Sequence, residues 1–224
     1  MMNKHKKYVA IVDYGMGNLF SVMNICQHVG LEAIKTSDKD VVGNSSAVIL
    51  PGVGAFGDAM SVLKKLDLVG VVKDAVNSGK PFLGICLGMQ LLMSESEEFG
   101  IHKGLNIING GVIKFPNLNS KNEKIRVPHI GWSKIFLSKS SDSENSILNN
   151  IHDGDSMYFV HSFFVAPQEE KVVITRTDYC GIRYCSGMCK DNIVAFQFHP
   201  EKSGPSGIQI FRNFKNMVCQ EIQK

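Results

Sequence analysis

The run Phe82-Leu83-Gly84-Ile85-Cys86-Leu87-Gly88-Met89-Gln90-Leu91-Leu92 leaves almost no room for a loop. Its first half is apolar and strand-like and follows Gly79-Lys80-Pro81, and the spacing after the cysteine predicts a helix over 87–94. A strand that passes directly into a helix must bend sharply at Cys86, and Gly84 and Gly88 make room for that bend. Such a Gly-x-nucleophile-x-Gly turn pushes its central side chain out of the backbone at the end of a strand. One segment thus constrains both the fold and the chemistry.

The rest of the first hundred residues agrees with a strand–helix alternation. Apolar, β-rich runs at 8–12, 32–35 and 47–50 read as buried strands, and helical spacing appears over 18–29, 56–66 and 69–76. This alternation predicts a parallel sheet covered by helices on both faces. Beyond residue 110 the texture changes. Short β-rich runs at 112–115, 134–137, 157–160, 172–175, 182–185 and 193–198 have little helix between them, which predicts an appended antiparallel portion. The polar, serine-rich stretch 138–150 is expected to be an exposed loop, and 203–218 an amphipathic closing helix with Pro205 near its start. The expected fold class is therefore a single α/β domain, with a mostly parallel central sheet, helices on both faces and an antiparallel extension.

With 224 residues, 44% hydrophobic and 20% charged, the chain can bury one sizeable core. The domain is expected over 8–224, after a flexible tail over 1–7 that carries Lys4-His5-Lys6-Lys7. A formal net charge of +3 gives no sign of nucleic-acid or membrane binding. No apolar stretch approaches the roughly 18 residues needed to span a bilayer, and no signal-like segment precedes the first strand. The reading is cytosolic, so Cys26, Cys86, Cys180, Cys185, Cys189 and Cys219 are expected as thiols. Cys180, Cys185 and Cys189 lack the paired spacing of a metal site, and neither metal nor cofactor is expected.

The chemistry centres on Cys86. Near the other end of the chain, Gln197-Phe198-His199-Pro200-Glu201 offers an imidazole to manage the thiol proton and a carboxylate to orient that imidazole. The start of a helix, exposed peptide N–H groups and a charged His199 would all favour the thiolate. An acyl-transfer intermediate also needs donors for its oxyanion. The Leu87 N–H is one candidate, and Pro51-Gly52-Val53-Gly54 could bring a second peptide close. His129 and His161 compete with His199 as bases, and Asp13 and Asp58 are alternative carboxylates with no histidine nearby in sequence.

Together these residues resemble the class I (triad) glutamine amidotransferases, and within them the glutaminase subunits of imidazole glycerol phosphate synthases. The resemblance rests on Asp13-Tyr14-Gly15-Met16-Gly17-Asn18-Leu19, Pro51 to Phe56, Gly84 to Leu92, Val127-Pro128-His129-Ile130-Gly131-Trp132, Tyr158 to Ser162 and Gln197 to Ser203. It implies hydrolysis of L-glutamine by Cys86, His199 and Glu201, with an oxyanion hole from Leu87, Gly52, Val53 and Gly54. It further implies glutamine contacts from Gln90 and Ser162. The implied partner is a (β/α)₈-barrel synthase subunit that receives the ammonia in a heterodimer, as part of histidine biosynthesis, and the isolated chain would have low activity. Ser133 stands where the subfamily leads us to expect asparagine, and Phe163 where tyrosine is usual. Paralogues that supply ammonia for amidation of a surface-polysaccharide sugar also resemble the chain. A γ-glutamyl or peptide hydrolase on the same fold would use the same triad.

Overall fold

The computed structural model describes residues 8–138 and 146–223, so the expected tail over 1–7 and most of the serine-rich stretch lie outside the described residues. In chain order the elements are β1 (Val9–Val12), α1 (Leu19–His28), β2 (Ala33–Thr36), α2 (Lys39–Gly43), β3 (Ala47–Gly52), α3 (Phe56–Lys65), α4 (Leu68–Asn77), β4 (Phe82–Cys86), α5 (Leu87–Leu91), β5 (Met93–Ser96) and β6 (His102–Lys103). The second half contributes β7 (Ile108–Lys114), β8 (His129–Leu137), β9 (Ser156–His161), β10 (Phe163–Pro167), β11 (Val173–Tyr179), β12 (Ile182–Lys190), β13 (Ile193–Phe196) and α6 (Gly204–Gln223).

Nine strands form the main sheet in the order β2-β1-β3-β4-β13-β12-β11-β8-β9. The first five are mutually parallel, and from β13 outward every pairing is antiparallel. The sheet thus changes character at β13, which lies between β4, the strand that ends at Cys86, and the antiparallel wing. Strand periodicity divides the core between the two faces. Val9 and Ile11 of β1 pack with Val22 and Ile25 of α1 and with Phe211 and Phe214 of α6. Ala10 and Val12 point the other way, toward Phe56 and Leu63 of α3 and Val72 of α4.

A second sheet, β10-β7-β5-β6, takes in Met93 and Ser94, where the helix after Cys86 was expected to continue. The helix after Cys86 stops at Leu91 rather than reaching Ser94. The reason lies in the partners its last carbonyls find: Leu91 O accepts from Leu105 N at 2.9 Å, and Leu92 O accepts from Ile107 N and Ile108 N at 2.9 and 3.0 Å. A helix end capped by a distant segment need not continue, and Met93–Ser96 instead pairs with β6 and β7. Helix α2 has only five residues, too few for periodicity to reveal it. The closing helix runs to Gln223, beyond the expected Val218. Within the serine-rich stretch, Ser146–Leu148 forms a short 3₁₀ turn.

Gly88 fixes how closely the nucleophile turn packs. A Cβ there would lie 1.7 Å from the Leu50 carbonyl oxygen of β3, so α5 can sit on the sheet only with hydrogen at this position. Gly88→Ala is expected to lower unfolding stability by about 2–4 kcal/mol through backbone displacement. Gly70→Ala, in α4 with nothing within 4 Å of its would-be Cβ, should be neutral or stabilising by up to ~1 kcal/mol. Paired urea-unfolding curves compare the two.

Candidate active site

Cys86 is the last residue of β4 and the residue immediately before α5. Its φ of 53° and ψ of −108° place a non-glycine residue in strained backbone, as the sharp strand-to-helix turn requires. The thiol is nearly buried and borders a cavity of about 310 Å³ whose lining includes Val53, Gly54, Leu87, Gln90, Glu98 and Ser162.

His199 follows β13, the parallel neighbour of β4, so adjacent strands deliver His199 and Cys86 to the same end of the sheet. Its backbone is held from two sides. His199 N–H donates to the Tyr158 carbonyl of β9 at 2.9 Å, and the Ser203 hydroxyl donates to the His199 carbonyl at 2.6 Å. The ring Nδ1 lies 2.7 Å from Glu201 Oε1, with both side chains only 2% exposed. The other nitrogen, Nε2, is buried with no formed hydrogen bond. The Cys86 sulfur lies close enough to the ring to favour its charged form. Burial alone would push the imidazole pKa down, but the Cys86 sulfur and the Glu201 carboxylate outweigh it and raise the value to about 10. At neutral pH the proton therefore rests on the imidazole, which leaves an imidazolium opposite the sulfur.

The competing histidines occupy a different network. His161 Nδ1 lies 2.8 Å from the Phe163 carbonyl, which can only accept, so this nitrogen carries the proton. His161 Nε2 must then accept from the Tyr184 hydroxyl at 3.2 Å, and that oxygen in turn accepts from His129 Nδ1 at 3.1 Å. The remaining His129 nitrogen accepts from Ser133 Oγ at 2.8 Å, which gives Ser133 a defined place. Burial drives the His129 pKa down to about 4 and, against the opposing Phe163 bond, the His161 pKa down to about 3. Both rings stay neutral at pH 7 with both nitrogens occupied. Asp13 caps its own turn, accepting from Gly15 N at 3.1 Å.

The expected oxyanion donors are not equivalent. Leu87 is the first residue of α5, so its N–H has no partner within the helix. Gly52 ends β3 as the register partner of Cys86, and a Cβ there would strike the Tyr14 hydroxyl at 2.1 Å. The Val53 N–H donates to the Met16 carbonyl at 3.3 Å, so it is not directed at the cavity. Gly54 has a φ of +103°, and the loop of Val53 is exposed. Gln90 is buried beside the cavity, and Ser162 lines it.

Two residues at the site escaped the sequence reading. Glu98 borders the Cys86 cavity, where its carboxylate accepts from Phe56 N at 2.7 Å. Gln197 is fully buried, and its side chain reaches Cys86 Sγ at 3.7 Å. The Gln197 position in the strand-ending segment gave a faint signal, whereas Glu98 lies in a polar stretch with none.

The sequence family described as class-I glutamine amidotransferase matches residues 10–217. Imidazole glycerol phosphate synthase subunit HisH of Geobacter metallireducens is 46% identical over 207 residues, covering 92% of this chain and 96% of that protein. HisH of Aquifex aeolicus is 47% identical over 206 residues, with 92% and 94% covered. Among solved structures, a glutamine amidotransferase superposes with a TM-score of 0.70 at 16% identity, covering 94% of this chain and 98% of that one. PurLQS from Thermotoga maritima gives 0.67 at 20% identity, again with 94% and 98% covered. These structures share the fold.

Proposed function

The chain belongs to the class I glutamine amidotransferase family, and on that premise we propose that it is the glutaminase subunit of an imidazole glycerol phosphate synthase, acting in histidine biosynthesis through Cys86, His199 and Glu201. The observation that carries the catalytic assignment is the buried His199, bound to Glu201 on one nitrogen and facing Cys86 with the other.

Cys86, as thiolate, attacks the side-chain amide carbon of L-glutamine. The oxyanion is held by the Leu87 N–H and by a peptide of the Gly52–Gly54 loop. His199, already protonated, gives its proton to the departing ammonia, and the glutamyl group remains on sulfur as a thioester. The neutral imidazole then takes a proton from water, hydroxide attacks the thioester carbon, and glutamate leaves as sulfur recovers its charge. Glu201 keeps the Nδ1 proton in place through both halves of the cycle. Gln90 and Ser162 orient the substrate, and Glu98 supplies a negative charge for its α-ammonium group.

The ammonia passes to a barrel-type cyclase partner in a cytosolic heterodimer. An exposed apolar patch near the β9 edge of the sheet supports a docking face: Ile130 and Trp132 on β8 are 59% and 58% exposed, and Trp132 makes an edge-to-face contact with Tyr158. Tyr158 is also the residue whose carbonyl holds His199, so a protein docked on this edge would touch the base's own support. On this reading the bond between Val53 N–H and Met16 O keeps the isolated chain slow, because a second oxyanion donor becomes available only when that bond opens.

Glutamine hydrolysis by the isolated chain should rise at least about 100-fold when a histidine-pathway cyclase and its nucleotide substrate are added. The assay is glutamate release coupled to imidazole glycerol phosphate formation. No stimulation by that cyclase, with stimulation by a sugar-amidating partner, would move the chain to the other pathway.

A further inference from the structure

We propose that Gln197 is an additional catalytic residue, whose side-chain N–H donates to the Cys86 sulfur and stabilises the thiolate. The inference rests on the reading of Cys86 as a glutaminase nucleophile.

The orientation of the Gln197 amide follows from a carbonyl two contacts away. The Phe163 carbonyl can only accept, and it faces a side-chain atom of Gln90 at 3.0 Å, so that atom is the Gln90 nitrogen. The same nitrogen lies 3.2 Å from a side-chain atom of Gln197, which must then be the Gln197 oxygen. The Gln197 nitrogen is left on the opposite side, 3.7 Å from Cys86 Sγ, within range for an N–H donor to sulfur. Rotating the Gln197 amide by half a turn would set its NH₂ against that of Gln90 and its oxygen against the sulfur. The first contact would set donor against donor and the second would suit only a protonated thiol, so the observed arrangement is the one that serves an ionised sulfur. The Phe163 carbonyl is itself fixed by a second donor, His161 Nδ1 at 2.8 Å.

Burial gives this contact its weight. Gln197 is fully buried and Gln90 nearly so. A buried amide costs free energy unless its groups are paired, and a hydrogen bond to a charged acceptor is stronger than one to a neutral acceptor. The donor therefore favours the ionised sulfur over the thiol. His199 supplies a charge that leaves with the ammonia, whereas the Gln197 N–H remains in place. It is thus positioned to stabilise sulfur again when the thioester breaks.

The test is iodoacetamide alkylation of Cys86 in the full chain, followed by peptide mass mapping, with the exposed Cys180 and Cys219 as internal references. The ratio of the rate at pH 7 to the plateau rate at high pH reports the thiolate fraction and cancels differences in access. Gln197→Met deletes the donor, and Gln197→Asn withdraws it by one methylene while retaining an amide, which guards against loss of folding in the first variant. Both should lower the ratio about tenfold. Gln90→Met removes the partner of the Gln197 oxygen but leaves its N–H, and should lower the ratio less than threefold. An unchanged ratio in the Gln197 variants, or an equal fall in Gln90→Met, would overturn the proposal. Neither result depends on glutamine turnover, so the glutaminase reading stands or falls separately.

Discussion

Cys86→Ala is expected to lower glutamine-dependent turnover by at least about 10⁴-fold and to leave ammonia-dependent synthesis by the complex intact. The sulfur is the group placed to form the covalent intermediate, at the tip of the strand-to-helix turn and on the wall of the cavity. Removing it returns the reaction to uncatalysed attack of water on an unactivated amide. The change replaces one buried side-chain atom with none, at a residue whose φ of 53° is set by the turn and not by the thiol. The fold and the docking edge should therefore survive, and added ammonium should still reach the partner's reaction. Parallel assays of the variant complex with glutamine and with ammonium chloride check both halves. Loss of both activities would point to a broken complex, and retention of both would remove Cys86 from the mechanism.

The second large effect concerns the base. Glu201→Gln removes the carboxylate that holds the His199 Nδ1 proton and helps raise the ring pKa to about 10. Turnover of glutamine should fall about 10²- to 10⁴-fold, because the ring loses both its orientation and part of its reason to be charged. The sign of the pH effect follows from the direction of the shift. In the folded protein His199 binds its proton more tightly than an unfolded histidine. The stabilisation is fully present below about pH 6.5 and is lost as pH rises through about 10. The leaving ammonia needs that same proton, so the alkaline limb of wild-type activity should lie near pH 10 and move to lower pH in Glu201→Gln. Activity profiles between pH 6 and 11, with thermal midpoints measured over the same range, test the two consequences together.

How far the sequence revealed this site depends on the range of the interactions involved. The Cys86 turn is local: its glycines, strand and helix start lie within nine residues, and all appear at the expected place. The split between parallel and antiparallel halves was equally visible, because it is written in whether helices separate the strands. His199 and Glu201 sit two residues apart, so their 2.7 Å contact needs only the 3₁₀ turn that Pro200 begins. What could not be read were pairings between distant segments. The capture of Leu91 and Leu92 carbonyls by residues 105–108 ends a helix that periodicity alone would extend. The Tyr184 bridge removes His129 and His161 from contention as bases, and the residues involved span 55 positions. Gln90 and Gln197 meet across 107 residues, and the Val53–Met16 bond depends on how two glycine-rich loops settle against each other. Pattern and composition carry no information about such contacts until the sheet order is fixed.

The most direct measurement is rapid-quench mass spectrometry of the complex during turnover of glutamine. A glutamyl group carried on the peptide containing Cys86, absent in Cys86→Ala and long-lived in Glu201→Gln, is the result expected if sulfur attacks and His199 activates the water that releases it. Steady glutamate production with no acyl group on Cys86 at any quench time, in wild type or in the slowed variant, would contradict the covalent mechanism.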